Sequence, residues 1–350
     1  MNEHLKVPLI ARTKTPSHVD IHVSIVTAII NVVKTSAGTG VWSLAEAASS
    51  GTGIYSTLLI IITICMASAW TFSLVGDACE VFDKHKGGHP TSRSCGDYRK
   101  VWVHCIGTKS ALAIDAFLMV YTLMAGTLYI ETLHSLCAPL LEAIGVPCSL
   151  LGLPLKILVG VLCYTLSQLR LMKDMAWTST LGNIGFAITL LVVIARAYDG
   201  SYAPGGRFEA ASNPMGFTLG GDGWALSPMS VVLAVRTGFS AASHYSAPRV
   251  YEQLRDRSAA RLRIVAFGAY LILSVVYAAA ALLGALTFGS KTLVPLQSSY
   301  ATFDPLAILA RWMNFISCAA TYPLLFASSE QPAGRLIKSL VGGYSTYEAE

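Results

Sequence analysis

Two ionisable residues sit deep inside apolar runs, each beside a patch of small and hydroxyl-bearing residues. Lys34 lies in the stretch Asn31-Val32-Val33-Lys34-Thr35-Ser36-Ala37-Gly38-Thr39-Gly40. Arg236 precedes Thr237-Gly238-Phe239-Ser240-Ala241-Ala242-Ser243-His244. An isolated Lys or Arg at the centre of a bilayer costs about 2.5–3.5 kcal/mol on insertion scales, so such a residue marks a site by default. Glycines and hydroxyls beside it are poor helix material. They predict unwound backbone, whose free N–H and C=O groups are tolerated at membrane depth only where they line a cavity. Close helix packing by small residues is the simpler explanation of one such patch. Two patches in register, each next to an ionisable residue, favour a binding site.

The elements that must carry these residues follow from composition. The 350-residue chain is 53% hydrophobic and 13% charged, with a mean hydropathy of +0.55. Soluble domains carry about 25% charged residues, so this surface has too little charge to face water all round. Apolar runs near the length of a bilayer crossing recur along the chain. Eight candidate spans lie near 21–48, 54–76, 110–137, 150–169, 176–197, 225–248, 262–288 and 305–327. No strand-like alternation accompanies them, which sets a β-barrel aside. The expected organisation is a tail over 1–20, one all-α polytopic membrane domain over 21–327, and a second tail over 328–350. The first twenty residues hold no long apolar stretch of the kind a cleavable signal peptide needs.

With the N-terminus placed in the cytoplasm, 18 of the 25 Lys and Arg residues fall on the cytoplasmic side and five on or near the other. The positive-inside rule therefore predicts both tails in the cytoplasm. The net charge of +5 fits attraction to anionic leaflets and carries no sign of nucleic-acid binding. The eight cysteines show no CxxC spacing. Cys137 and Cys148 are the pair nearest the outer side, and ordinary buried thiols are preferred to a disulfide there. His85, His89 and Cys95 fit no standard metal motif. Arg236 needs a carboxylate, for which Glu46, Asp115 and Glu131 are candidates.

These same residues carry a resemblance. Asn31-Val-Val-Lys34-Thr35 with Gly38-Thr39-Gly40 resembles the N-x-x-K-x-x-x-G-x-G signature of the amino acid/auxin permease family, within the amino acid-polyamine-organocation superfamily. Phe239-Ser240-Ala241-Ala242-Ser243-His244, followed by Val250-Tyr251-Glu252-Gln253-Leu254, is similar to that family's F-S-x-x-x-H…I-Y-E-E-L stretch. Arg255-Asp256-Arg257-Ser258, Leu286-Thr287-Phe288-Gly289, and Arg311 with Thr321-Tyr322-Pro323 continue the likeness over nearly the whole chain.

The resemblance implies a LeuT-like inverted-repeat fold with discontinuous first and sixth helices, and secondary active transport of amino acids by alternating access. It implies a substrate site at Thr35, Ser36, Gly38, Thr39, Gly40, Phe239, Ser240 and Ser243, with helix N-termini favouring the carboxylate. Asn31, Lys34, His244, Ser317 and Thr321 become the coupling-ion or proton set. No cofactor is implied; the partners are the amino acid and the lipid bilayer, in the plasma membrane or a vacuolar or lysosomal one. Sodium-coupled relatives carry Asn where Lys34 stands, and one of the two helix-eight hydroxyl positions reads Ala319 here, with Thr321 retained. A fixed ammonium repels Na⁺ and a buried Lys can titrate, so H⁺ coupling or cation independence is expected before Na⁺ coupling.

There are departures from the family pattern. Ala45 replaces a usual proline, and Ser328-Ser329-Glu330 stand where an arginine is usual. The family has about eleven helices and this sequence shows eight spans, which leaves the second repeat incomplete. A non-transporting sensor or truncated regulatory subunit is the alternative. No catalytic motif supports a membrane-embedded enzyme, and no filter-like loop supports a channel. The small residues of the breaks and Phe239 suit small neutral amino acids, without excluding basic or aromatic ones.

Overall fold

A computed structural model describes residues 23–85, 95–168, 172–211, 223–327 and 330–342. Its helices are α1 Ile25–Ser36, α2 Leu44–Ser49, α3 Ile54–His85, α4 Tyr98–Ile106, α5 Ala111–Ala143, α6 Cys148–Leu151 and α7 Leu153–Ser167. They continue with α8 Met172–Tyr198, α9 Pro228–Ser240, α10 Ala247–Gln253, α11 Ala259–Phe288, α12 Pro305–Ala327 and α13 Glu330–Gly342. Among the described residues the only β pairing is a single bridge between Val23 and Leu254.

Each expected span has a helical counterpart. Among the described residues, four helices are long and apolar enough to cross a membrane, and a fifth crossing results if α1 and the bent segment through α2 count as one. Large apolar side chains such as Ile62, Trp70, Phe117, Leu158, Leu191 and Val275 point outward. The interior mixes large side chains such as Trp42, Phe72 and Tyr277 with many alanines, and small residues at particular helix contacts let backbones approach closely. A Cβ on Gly284 of α11 would lie 2.6 Å from the Ala45 Cβ of α2. A Cβ on Gly185 of α8 would lie 2.4 Å from the Met313 carbonyl oxygen of α12.

Local signals set the helix starts. The Ser24 side chain accepts the Thr27 N–H at 3.2 Å and opens α1. Ser227 accepts from Met229 N–H at 3.2 Å, and its own N–H is taken by the Ser230 hydroxyl at 3.0 Å, which opens α9. Pro248 sits in the first turn of α10, where a missing N–H costs nothing.

The partner of Arg236 is Glu46: the two side chains form an ion pair joining α9 to α2, and Arg236 also donates to the Ser43 carbonyl at 2.8 Å. Glu131 pairs with Lys156 at 2.8 Å. Asp115 is fully buried and takes Arg99 of α4 together with Arg335 of α13 at 2.7 Å. Arg335 also reaches Asp97 at 3.0 Å, so α13, in the stretch expected as a tail, is fastened to α5 and to the start of α4. All eight cysteines are free thiols. His85 bonds the Val81 carbonyl at 3.0 Å, and His89 lies outside the described residues.

Candidate functional site

Both expected helix breaks exist, and both are made by the same small device. In the first, α1 closes with Ala37 N–H to Val33 O at 2.7 Å. Ala37 then adopts φ −79° and ψ 65°, and Gly38 N–H bonds Ser36 O at 2.9 Å. That is an inverse γ-turn. A 3₁₀ turn over Thr39–Ser43 follows, and the chain leaves it at 49° to α1. In the second break, Ser243 N–H bonds Ala241 O at 2.9 Å, again across two residues. The sequence placed this break from Thr237 onward. The structure keeps Thr237–Ser240 helical, because Ala241 N–H still reaches Thr237 O at 2.9 Å.

Helix α11 fastens both turns. Tyr277 donates to Ser36 O at 2.8 Å, and Tyr270, two turns earlier on α11, donates to Ala241 O at 2.7 Å. The breaks also touch one another, with Ser36 Oγ donating to Ser243 Oγ at 2.8 Å. Ser243 Oγ lies 3.1 Å from the Tyr270 hydroxyl. Tyr121 of α5 donates to Ala242 O at 2.8 Å. Gly40 has room for no side chain, since a Cβ there would come within 2.0 Å of Ser240 Oγ and 3.4 Å of the Ser240 Cα.

One cavity of about 610 Å³ opens beside the breaks. Asn31, Lys34, Thr35, Ser36, Gly38, Thr39, Gly40, Phe239, Ser240 and Thr321 all line it. Three of the expected site residues do not. Ser243 is buried under the link to Ser36 and Tyr270. His244 turns to α3, where Nε2 meets Thr71 Oγ1 at 2.7 Å and the Ser68 carbonyl at 3.2 Å. Ser317 donates to the Gly182 carbonyl of α8 at 2.8 Å, and Thr321 donates to the Ser317 carbonyl at 2.7 Å.

Lys34 is 6% exposed and reaches across to α8. A Cβ on Gly182 would stand 2.8 Å from its Nζ and 3.5 Å from the Ser317 carbonyl oxygen. The ammonium thus lies beside the part of α12 that carries Ser317. Thr180 and Asn183 of α8 join the lining, as do Tyr121 and Tyr129 of α5 and Tyr245. These five were not found by reading the sequence, because they stand on smooth apolar helices or just past a break, with no local irregularity to mark them. The lining also takes in Val23, Asp97, Tyr98, Gln253 and Gln331, which stand at or near the ends of α1, α4, α10 and α13.

Helices long and apolar enough to cross a bilayer, with two helix breaks beside one polar-edged cavity, define the class as a polytopic membrane protein with a cavity inside its bundle. Residues 22–337 match the family described as transmembrane amino acid transporter protein, and the chain belongs to that family. It is an integral multi-pass membrane protein, and membership points away from an enzyme. Among curated proteins the chain is similar to one of Xenopus tropicalis named "Putative sodium-coupled neutral amino acid transporter 8", at 26% identity over 171 residues. That match takes in 48% of this chain and 37% of the relative.

Proposed function

We propose that the protein is a secondary active amino acid transporter working by alternating access, with the inverted-repeat logic of LeuT-like folds. The observation that carries this reading is that Ser36 and Ser243 join the two helix breaks, and that the first break and the residues flanking the second, Phe239, Ser240 and Tyr245, line one cavity. The backbone around Gly38–Gly40 and the Ser36 and Ser240 hydroxyls bind the amino and carboxylate groups. The mouth faces the cytoplasm, because the basic loops gather there. The Arg236–Glu46 pair holds the two opposite-side half-helices together while the cavity is open inward.

Lys34 serves as a built-in cation in place of sodium, and coupling is to protons or to no cation. Its position against Gly182 and Ser317 supports this, since a fixed ammonium there competes with any small cation. Sodium coupling is the second reading, and the name of the Xenopus relative favours it. Uptake into proteoliposomes, measured with and without Na⁺ and over a range of pH, separates the two. We expect uptake that persists without Na⁺, and a changed ion dependence in Lys34→Asn. Strict Na⁺ dependence of the unaltered protein sinks the proposal.

A further inference from the structure

The wall of the cavity opposite the first break is aromatic. Tyr121 stands 5.4 Å from Phe239 and 5.8 Å from Tyr245, ring centre to ring centre, with interplanar angles of 44° and 47°. Rings at these spacings pack on one another and form one continuous aromatic surface along the lining. Leu118, Leu128 and Leu325 extend the apolar wall. The aromatic side comes right up to the unwound backbone, because a Cβ on Gly38 would lie 2.7 Å from the Tyr129 hydroxyl. A substrate held by its amino and carboxylate groups at Gly38–Gly40 therefore directs its side chain at rings, within van der Waals reach.

Charge along the cavity is one-sided. Among the described residues, Asp97 is the only acidic one in its lining, against Lys34 and Arg249. Asp97 is committed elsewhere: it accepts the Arg99 N–H at 3.0 Å and binds Arg335 at 3.0 Å. A cationic side chain entering the cavity would meet like charge and no uncommitted carboxylate among the lining residues.

Resting on the transporter reading above, we infer that the site selects large neutral amino acids with aromatic or branched aliphatic side chains and rejects cationic ones. Tyr121, Phe239 and Tyr245 are the specificity-determining residues. Glycine or alanine leaves the aromatic wall without a contact partner, and that unfilled contact is what the protein discriminates against. Reading the breaks alone favoured small neutral substrates; the tyrosines contributed by α5 and by the turn after the second break reverse that order.

The test is competition binding on purified full-length protein in nanodiscs. Radiolabelled phenylalanine is displaced by a panel of phenylalanine, tryptophan, leucine, alanine, glycine, lysine and arginine, and thermal stabilisation by each amino acid alone is a second readout. We expect phenylalanine and leucine to compete at concentrations about tenfold or more below alanine, and lysine and arginine not to compete. Tyr245→Ala and Phe239→Ala should each lower the phenylalanine-to-alanine ratio about tenfold. Tyr245→Phe, which keeps the ring, should retain it. The inference is overturned if alanine or lysine binds as tightly as phenylalanine, or if the ratio survives both alanine variants in folded protein. If no amino acid stabilises or binds the unaltered protein, the transporter reading falls and takes this inference with it.

Discussion

The two helix breaks are built alike and used differently. Each is a three-residue turn, at Ser36–Gly38 and at Ala241–Ser243, whose carbonyl is capped by a tyrosine of α11. Around the second turn nearly everything is tied down: Ala241 O to Tyr270, Ala242 O to Tyr121, and Ser243 Oγ to Ser36 and Tyr270. None of Ala241, Ala242 or Ser243 lines the cavity, whereas Ser36, Gly38, Thr39 and Gly40 all do. The first break faces the cavity and the second is a fastened joint. Interrupting a helix frees polar groups in both cases. Which of them serve a ligand depends on whether the surrounding helices bring hydroxyls to cap them.

Five substitutions, in three groups, probe that contrast. The largest effect is expected from Gly40→Val, which drives carbon atoms into Ser240 of α9. It should weaken amino acid binding by well over tenfold, about 1.4 kcal/mol or more. Equilibrium binding on protein shown to be folded by size exclusion reads this, and near-normal affinity would mean that the first break is not the ligand face. Next comes the pair Tyr270→Phe and Tyr277→Phe. Each removes one of the two hydrogen bonds to a carbonyl that keeps the N–H of its own turn, at about 1 kcal/mol. Tyr270→Phe should be the more destabilising in thermal unfolding, since that hydroxyl serves both Ala241 O and Ser243 Oγ. The reverse order would undo the description of the second break as the fastened one. The smallest effects come from Ser36→Ala and Ser243→Ala. Both break the hydrogen bond that joins the two breaks, at about 1 kcal/mol; Ser243→Ala also loses Tyr270 and should cost somewhat more stability, yet only Ser36→Ala should shift the half-saturating amino acid concentration.

Much of the site was legible in the sequence because breaking a helix requires particular residues. Gly38, Gly40 and the hydroxyls around them interrupt an apolar periodicity, and such an interruption shows in a linear chain. Lys34 was legible for the same reason, as a charge where hydrocarbon is expected. His244 and Ser317 were marked by the family resemblance, and a motif does not say which way a side chain faces. His244 packs on α3 with Phe72 at 5.9 Å, and Ser317 is spent on the Gly182 carbonyl. The tyrosines of the wall and the two caps on α11 gave no local signal, since an aromatic residue on an apolar helix is ordinary wherever it points.

By itself the sequence determined that this is a polytopic helical membrane protein with helices interrupted at two places and a lysine beside the first. Those outcomes follow from local physics: apolar length, backbone propensity, and the cost of charge in hydrocarbon. Tertiary structure alone decided that Arg236 pairs with Glu46 and that Lys34 reaches α8. It also decided that Tyr277 and Tyr270 cap one break each, and that three rings from separate parts of the chain meet across one cavity. Each of these joins residues far apart in the chain, and no local preference encodes such a meeting. Only the packing of α5, α8, α9 and α11 around the breaks brings them within reach.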